Sequence, residues 1–244
     1  MSDLRLQSRE STITLDKVIK DHEQWEREHP EEVAAQKQRR INEEAAEKAE
    51  HDKFHRAQMI TALGGKRAAD EYREDNFVAG VVTAPALAAA SGFVAATENL
   101  YLHGPTGSGK SHLAAIAARR SFQTLRRYNC VRTVTPMVVS RSLRSCSDAD
   151  HEAYVLQELV DSPVLVLEDF GVEKGTEFLL SALYEVVNGR YQNGVGGLIV
   201  TSNLSLGELA AKLGDDRMPS RLSQMCKVFD LRGAKDYRVP EKKS

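Results

Sequence analysis

The sequence predicts an α/β domain with a parallel sheet covered by helices on both faces, preceded by a charged helical arm. Five short apolar segments with strand character alternate with helix-like segments over residues 70–240. Such alternation is typical of parallel sheets, because a crossover between parallel strands usually contains a helix. Residues 1–65 instead consist largely of charged helix formers. We therefore expect one compact domain and one helical arm.

The strand candidates are short apolar runs bounded by polar or glycine-rich segments. They cover residues 100–103, 131–134, 164–167, 198–201 and 228–231. The clearest helix candidates between them are residues 112–125 and 178–191. Their order along the chain predicts that helices cover both faces of the sheet.

The N-terminal 65 residues are rich in Glu, Lys, Arg, Gln and Ala and contain few large apolar side chains. This composition favours exposed helix. Pro30 is expected to separate a first helix carrying Trp25 from a longer second helix, which Gly64 and Gly65 would end. The apolar stripe of the second helix is too thin to fold alone, so the arm is either a partner-binding adaptor or a solvated tail.

Composition and charge restrict the function classes. The 244 residues are 41% hydrophobic and 28% charged, as in soluble globular proteins. No apolar run approaches the roughly 20 residues that span a bilayer, and no apolar signal segment opens the chain. We therefore expect a cytoplasmic protein without a membrane partner. The net charge of -2 gives no general attraction to nucleic acid, so a DNA contact would need a local basic surface.

A glycine-rich phosphate-binding motif follows the first strand candidate and opens the next helix candidate. Its glycines let backbone N–H groups turn toward phosphate oxygens, and the helix N-terminus adds partial positive charge. Lys110 is expected to reach the β- and γ-phosphates, and the Ser111 hydroxyl to help hold Mg²⁺. An ordinary glycine-rich turn is the alternative, which the strand-loop-helix context disfavours. The predicted ATP-binding residues are Gly104, Pro105, Thr106, Gly107, Ser108, Gly109, Lys110, Ser111 and His112.

Polar side chains follow two further strand candidates. Glu168 and Asp169 end the apolar run 164–167, where one acid could hold Mg²⁺ and the other orient or deprotonate the attacking water. Asn203 follows the run 198–201 and could reach the γ-phosphate, although a turn-forming Asn is equally compatible. Arg221 could stabilise the transferring phosphate from a neighbouring subunit, or lie on the surface at a helix end.

Several phrases of the sequence resemble, in order, the DnaC/IstB group of AAA+ ATPases, which comprises replicative helicase loaders and transposition helper proteins. The matching phrases are Gly-Lys-Ser-His-Leu-Ala (109–114), Leu-Glu-Asp-Phe-Gly (167–171), Asn-Gly-Arg-Tyr (188–191), Thr-Ser-Asn-Leu (201–204), Asp-Arg-Met-Pro-Ser-Arg-Leu (216–222) and Leu-Arg-Gly-Ala-Lys-Asp-Tyr-Arg (231–238). The resemblance covers residues 70–238 and leaves the charged arm outside.

The resemblance implies a P-loop NTPase fold of the AAA+ type, a three-layer sandwich with a five-stranded parallel sheet and no full helical lid. It also implies a nucleotide-dependent homo-oligomer that binds ATP between subunits and has single-stranded or duplex DNA as a partner. By matched position, it assigns the Walker A pair, the Walker B acids, the sensor, the trans-acting finger and its assistant. The Walker A pair is Lys110 and Ser111, and the Walker B acids are Glu168 and Asp169. The sensor is Asn203, the trans-acting finger is Arg221, and Arg217 assists it.

Two features qualify what the resemblance implies. In loaders and initiators the segment between the second and third strands approaches single-stranded DNA, and here it carries Arg132, Arg141 and Arg144. A solvated charged surface is the commoner explanation of such arginines. The group usually has Asp at the first Walker B position, whereas this chain has Glu168 there and Asp169 second. Because the two acid lengths are exchanged, slow ATP hydrolysis is compatible with the sequence.

Three function classes therefore remain. The first is an ATPase of DNA replication that loads a replicative helicase through the arm, with Trp25 as the anchor. Its sister alternative is a transposition helper ATPase that binds DNA and recruits a transposase. A nucleotide-gated scaffold with little hydrolysis ranks lower. A small-molecule kinase ranks lowest, because the sequence shows neither a substrate pocket nor an arginine-rich lid.

Overall fold

A computed structural model of the chain describes residue 22 and residues 24–125, 130–171 and 176–237. The pattern of residue contacts divides the chain into two compact units, residues 1–54 and residues 55–244. Residues 1–21 of the predicted arm, and Arg238 of the matching C-terminal phrase, lie outside the described residues. In the described part of the chain, no helix is long and apolar enough to cross a membrane.

The first unit is helical. Residues 24–28 are helical, and helix α1 (Pro30–Ala62) begins at a proline, whose missing N–H group costs nothing at a helix start. The Trp25 ring stacks on His29, with ring centroids 4.9 Å apart. None of the described residues from 24 to 54 is buried. Local propensity rather than a core therefore accounts for α1 up to residue 54, whereas Ala62 at its C-terminal end is buried.

The second unit contains a five-stranded sheet, with every neighbouring pair of strands parallel. The strands are β1 (Leu100–His103), β2 (Val131–Val134), β3 (Val164–Phe170), β4 (Leu198–Ser202) and β5 (Lys227–Asp230). Their order across the sheet is β2-β3-β4-β1-β5. The predicted five-stranded parallel sheet is confirmed. Strand β3 runs three residues beyond its predicted end, and β5 begins one residue earlier than predicted.

Helices connect these strands. They are α2 (Lys66–Asp70), α3 (Ala84–Ser91), α4 (Lys110–Leu125), α5 (Pro136–Arg144), α6 (Ala149–Asp161), α7 (Glu177–Asn193), α8 (Leu206–Leu213) and α9 (Arg217–Met225), with a 3₁₀ turn at Glu74–Asn76. Side-chain oxygens cap four of the helices at their N-termini, which satisfies backbone N–H groups that lack an intrahelical partner. The capping residues are Thr135, Asp148, Thr176 and Ser205.

The core has two parts, one on each face of the sheet. Leu100 and Leu102 of β1 pack with apolar residues of α3 and α4. Tyr101, the residue between them, packs in a second cluster with residues of α5 to α9. Successive strand residues point to opposite faces, so this alternation places one helical layer on each side. The sheet and its two helical layers form the predicted three-layer α/β fold.

Candidate functional site

The loop between β1 and α4 depends on glycines. Gly104, Gly107 and Gly109 have φ values of 151°, 85° and 92°, which side-chain-bearing residues rarely adopt. Space is also restricted, because a Cβ at Gly109 would lie 2.9 Å from Cε2 of Phe77. The loop leads directly into the first turn of α4, where backbone N–H groups have no intrahelical partner. The segment therefore has the backbone geometry of an anion-binding loop.

Lys110 is the first residue of α4 and is buried. Its ammonium group donates hydrogen bonds to the carbonyl oxygens of Gly104, at 2.8 Å, and Pro105, at 2.7 Å. These bonds hold the cation against the loop that precedes its own helix. A lysine in this position can exchange carbonyl partners for phosphate oxygens without leaving the loop.

The two acids lie at an irregularity in β3. The register with β4 shifts between Leu167 and Phe170, and Asp169 adopts a φ of 53°, while its N–H donates to Oγ1 of Thr201 at 3.0 Å. This shift separates the environments of the two carboxylates. Glu168 is partly buried, whereas Asp169 is exposed.

Glu168 lies close to Ser111. Burial raises the pKa of the Glu168 carboxyl, and the neighbouring Asp169 charge raises it further, whereas a hydrogen bond from Ser111 lowers it. Three residues are predicted to hold Mg²⁺, and two of them, Ser111 and Glu168, are thus brought together, with the third, Asp169, next to Glu168. Among the described residues, no group of three or more His, Cys, Asp or Glu side chains could hold a metal ion, so an ion here would need ligands from the nucleotide. Mg²⁺ commonly takes one or two carboxylates together with substrate phosphates, so these residues fit an ion that binds with a nucleotide.

A pocket of about 600 Å³ opens at this edge of the sheet. Eight of the predicted site residues line it: Thr106, Gly107, Gly109, Lys110, Ser111, His112, Asp169 and Asn203. Three residues of the predicted phosphate loop do not line it: Gly104, Pro105 and Ser108. The predicted finger, Arg221, and its assistant, Arg217, do not line it either. Glu168 is also absent from the lining and meets the site through Ser111.

Aromatic residues form one wall of the pocket, and only His112 among them was predicted from the sequence. The His112 ring stacks on Tyr72, with centroids 4.9 Å apart, and meets the edge of Phe77 at 5.1 Å. Phe77 lies 6.1 Å from the ring of Tyr237. Phe77 and Tyr72 precede β1 in a segment without a motif, so only the fold reveals them. Flat apolar rings beside an anion-binding loop suit a planar base joined to phosphate.

Arg119 of α4 holds this wall in place. Its side chain donates to the carbonyl oxygens of Tyr72, at 3.0 Å, and of Ala68, at 3.0 Å, and also to Ala69. Burial lowers the pKa of the Arg119 guanidinium, which costs free energy that the carbonyl contacts offset. The segment that carries Tyr72 is thereby fixed to the helix that carries Lys110.

The C-terminal segment also reaches the loop. The N–H group of Tyr237 donates to the carbonyl oxygen of Gly107 at 3.2 Å. The Asp236 carboxylate lies so close that a Cβ at Gly107 would be 1.9 Å from its Oδ1 atom. The end of the described chain therefore closes one side of the pocket.

The two predicted finger arginines lie together on α9, outside this pocket. Arg217 forms an ion pair with Asp215 at 2.7 Å. The Arg221 guanidinium lies over the ring of Tyr184, 4.8 Å from its centroid, and 5.8 Å from that of Tyr191. Neither arginine lines the nucleotide pocket of its own chain.

The three arginines considered for DNA lie in different surroundings. Arg132 of β2 pairs with Glu158 at 3.0 Å, and Arg144 of α5 donates to Oγ of Ser140 at 2.9 Å. Arg141 of α5 is exposed. The structure therefore leaves Arg141 as the arginine of this set best placed for an external phosphate.

Comparison with known proteins identifies the family. The model of the family described as IstB-like ATP binding protein matches residues 12–244. The chain belongs to the IstB-like ATP-binding family. Membership in this family, together with the P-loop fold, makes it a nucleotide-binding AAA+ protein. The resemblance to the DnaC/IstB group is confirmed.

Two bacterial proteins named for insertion sequences are similar to the matched part of this IstB-like chain. The IS5376 ATP-binding protein of Geobacillus stearothermophilus is 29% identical over 159 residues, which cover 62% of this chain and 59% of that protein. The IS21 ATP-binding protein of Pseudomonas aeruginosa is 27% identical over 158 residues, covering 62% of this chain and 56% of that protein. The matched segment thus spans little more than half the length of each relative.

Solved structures share the fold. The crystal structure of the DnaC helicase loader has a TM-score of 0.56 and 23% identity, and the match covers 68% of this chain and 99% of that one. The AMPPCP-bound DnaA of Aquifex aeolicus also has a TM-score of 0.56, with 19% identity, and the match covers 69% of this chain and 52% of that one. These likenesses show that the IstB-like core shares its fold with the two solved structures.

Proposed function

We propose that this IstB-like protein is an ATPase that assists DNA transposition, binding ATP in the described pocket and recruiting a transposase. The observation that carries the ATPase proposal is the convergence of Lys110, Ser111, Asp169 and Asn203 on one pocket beside an aromatic wall. The insertion-sequence names of the two relatives favour the transposition role.

In this proposal each side chain acts on a different part of the nucleotide. The loop N–H groups and Lys110 bind the phosphates, while the aromatic wall receives the base. Ser111 and Glu168 would hold Mg²⁺, which neutralises phosphate charge when it is bound. Asp169 orients or deprotonates the attacking water, and Asn203 contacts the water or the γ-phosphate.

The order of the two acids bears on the rate of ATP hydrolysis. Glu168 has one more methylene group than the usual Asp and is already engaged by Ser111. Asp169 is the shorter acid, so its carboxylate reaches less far toward the attacking water. We therefore propose slow turnover combined with firm nucleotide binding. A protein that binds ATP firmly but hardly hydrolyses it would act as a nucleotide-gated scaffold.

The arm is the proposed partner-binding element. Helix α1 has a largely exposed surface, and Trp25 and His29 form a stacked pair before it. Both rings are partly buried, and aromatic rings at a protein surface often anchor interfaces. The partner proposed here is a transposase, with DNA bound by the AAA+ core. The alternative partner, expected from the sequence, is a replicative helicase, with single-stranded DNA bound during loading.

Direct binding distinguishes the two partners. The full chain would be mixed, with ATP and Mg²⁺ present, with purified transposase from the nearest insertion sequence in its host and, separately, with the host's replicative helicase. Complexes would be measured by light scattering after size exclusion, with single-stranded and duplex DNA tested in parallel. Trp25→Ala is expected to weaken the complex, whereas Gln38→Ala, at an exposed position on α1, is the matched control.

Each result decides between the proposals. ATP-dependent binding of the transposase, lost in Lys110→Ala, supports the transposition helper. Binding of the helicase instead supports the loader and overturns the transposition role. If neither protein binds, both partner proposals fail, while the ATPase proposal is judged separately by turnover.

A further inference from the structure

Helices α7 and α9 form an arginine site that the pocket of the same chain does not use. The guanidinium of Arg221 lies over Tyr184 and near Tyr191, both from α7. Tyr191 is fixed in turn, because its hydroxyl donates to Oε1 of Gln224 at 2.6 Å. Two rings of α7 therefore hold a cation of α9.

Both arginines of α9 lie over the Tyr184 ring, Arg217 at 5.2 Å and Arg221 at 4.8 Å from its centroid, but Arg217 also has a carboxylate partner, whereas Arg221 has none among the described residues. The guanidinium of Arg217 already has a carboxylate partner, since its Nε and Nη2 donate to Asp215. Among the described residues, the Arg221 side chain makes a single hydrogen bond, from Nη1 to the Arg217 carbonyl oxygen at 3.3 Å. Within the described part of the chain, its buried Nε has no hydrogen-bond partner.

Ring contacts and carboxylate contacts have different consequences for an arginine. A carboxylate occupies the in-plane N–H groups and neutralises the charge. An aromatic ring instead meets the flat face of the guanidinium, so it fixes the orientation and leaves the charge and most in-plane donors available. Arg221 is thus oriented without being neutralised. Such a group is prepared to receive phosphate oxygens.

The phosphate must come from another molecule. Among the described residues, none from α7 or α9 lines the nucleotide pocket of this chain. Among the described residues, the arginine that lines it is Arg67, which forms an ion pair with Glu71 at 2.9 Å. Neither arginine of α9 thus lines the pocket of its own chain, and in a trans-acting role Arg221 would meet the nucleotide of a second copy.

We propose that Tyr184 and Tyr191 are positioning residues, whose rings hold Arg221 for the γ-phosphate of ATP bound by a neighbouring copy. This inference rests on the proposed ATPase function and on a trans-acting role for Arg221. The rings act on catalysis through the arginine and do not contact the nucleotide bound in their own chain.

The test compares ring removal with ring retention in the full chain. Tyr184→Leu removes the ring, whereas Tyr184→Phe keeps it and removes the hydroxyl group. Because a partly desolvated cation–π contact has a strength equivalent to about tenfold in rate, Tyr184→Leu should lower kcat by about that factor. The KM for ATP should stay within about twofold, because Lys110 and the loop are unchanged. Tyr184→Phe should retain nearly full kcat.

Controls separate positioning from folding. Tyr154 is an exposed tyrosine of α6, and Tyr154→Leu should leave kcat unchanged. Circular dichroism and unfolding by urea would show that all variants are folded. A fall in kcat for both Tyr184→Leu and Tyr184→Phe would overturn the ring argument, since the phenyl ring keeps the contact with Arg221.

Arg221→Ala distinguishes failure of this inference from failure of the proposed function. If Arg221→Ala lowers kcat and Tyr184→Leu does not, the arginine acts in catalysis but the rings do not position it. If Arg221→Ala has no effect on turnover, the trans-acting role itself fails. Should the wild-type chain show no turnover, ATP-dependent assembly is measured with the same variants, and absence of both properties overturns both proposals.

Discussion

Gly107 combines the two constraints that shape the phosphate loop. Its φ is 85°, and a Cβ would collide with the Asp236 carboxylate. Gly107→Ala should therefore lower the free energy of unfolding by about 1–2 kcal/mol, the cost of a left-handed conformation for a residue with a Cβ. It should also weaken ATP binding, because the Asp236 segment must move from the loop. Unfolding by urea and calorimetric titration with ATP measure the two effects.

Gly207 provides the matched control for this substitution. It lies inside α8, and a Cβ there would meet no atom within 4 Å. Gly207→Ala should raise the free energy of unfolding by about 0.5–1 kcal/mol, because alanine loses less backbone entropy in a helix. Equal effects at the two positions would contradict the account of the loop.

His103 ends β1 immediately before the phosphate loop and predicts a pH dependence. Burial lowers its pKa below the ordinary value of 6.5, although the Asp230 carboxylate acts in the opposite direction. Below pH 6.5 the unfolded chain therefore binds more protons at this residue than the folded chain does. Its contribution to stability is present above that pH and is lost as the pH falls toward the folded-state pKa.

Urea unfolding between pH 5 and pH 7 should thus show a free energy of unfolding that rises with pH. His103→Gln should reduce this slope. A remaining slope is expected from His112, whose pKa is also lowered by burial. An unchanged slope in His103→Gln would show that this histidine does not contribute.

Arg190 shows how one buried side chain organises neighbouring elements. Its Nη1 donates to the carbonyl oxygens of Leu159, Val160 and Ser162 at the end of α6, and its Nη2 donates to Gly196 before β4. Burial lowers the pKa of Arg190 to about 10, so the group remains charged at neutral pH. The arginine therefore satisfies four backbone acceptors. It connects the segment that precedes β3 with the segment that precedes β4.

Removal of this arginine should destabilise the whole second unit. Arg190→Met leaves the four carbonyl groups without their donor, so the free energy of unfolding should fall by about 3–5 kcal/mol. Arg141→Met, at an exposed position on α5, should change it by less than about 0.5 kcal/mol. Chemical denaturation of both variants measures the difference, and similar small losses would refute the structural role of Arg190.

Elements that follow local patterns could be predicted from the sequence. The strand β1 and the strand β2 begin and end where predicted, because short apolar runs and adjacent turn residues mark them. Helix α4 begins two residues earlier than predicted, since Lys110 and Ser111 already form its first turn. The resemblance alone pointed to the phrase containing Arg190, and its carbonyl contacts required the fold.

The aromatic wall could not be predicted, because it depends on distant contacts. Phe77 reaches Gly109, and Tyr72 is fixed by Arg119, which lies 47 residues farther along the chain. Asp236 reaches Gly107 from the other end of the domain. Such contacts follow from the order of strands across the sheet, which no local pattern encodes.

At the scale of the whole molecule, the arrangement of α9 predicts cooperation between copies. Arg217 and Arg221 do not line the pocket of their own chain, and in the proposed trans-acting role Arg221 completes the site of a second copy. ATP turnover per chain should therefore rise with protein concentration and reach a plateau once assembly is complete. Steady-state ATPase assays over a wide range of protein concentration test this. A constant turnover per chain would contradict a shared site.

The two units have different sources of stability. Residues 24–54 have no buried member, whereas the second unit has cores on both faces of its sheet. Partner proteins and nucleotide can thus be bound by separate parts of the chain. Substitutions in the arm should leave ATP binding unchanged if this division of roles is correct.

The most direct test of the account is a calorimetric titration of the full chain with ATP and Mg²⁺, compared with Lys110→Ala. Because charge-assisted hydrogen bonds to phosphate are lost, affinity for ATP should fall at least about tenfold. Lys53→Ala, at an exposed position on α1, is the matched control and should bind ATP as the wild type does. If Lys110→Ala is folded and binds ATP with unchanged affinity, the nucleotide site is not the one assigned to this loop.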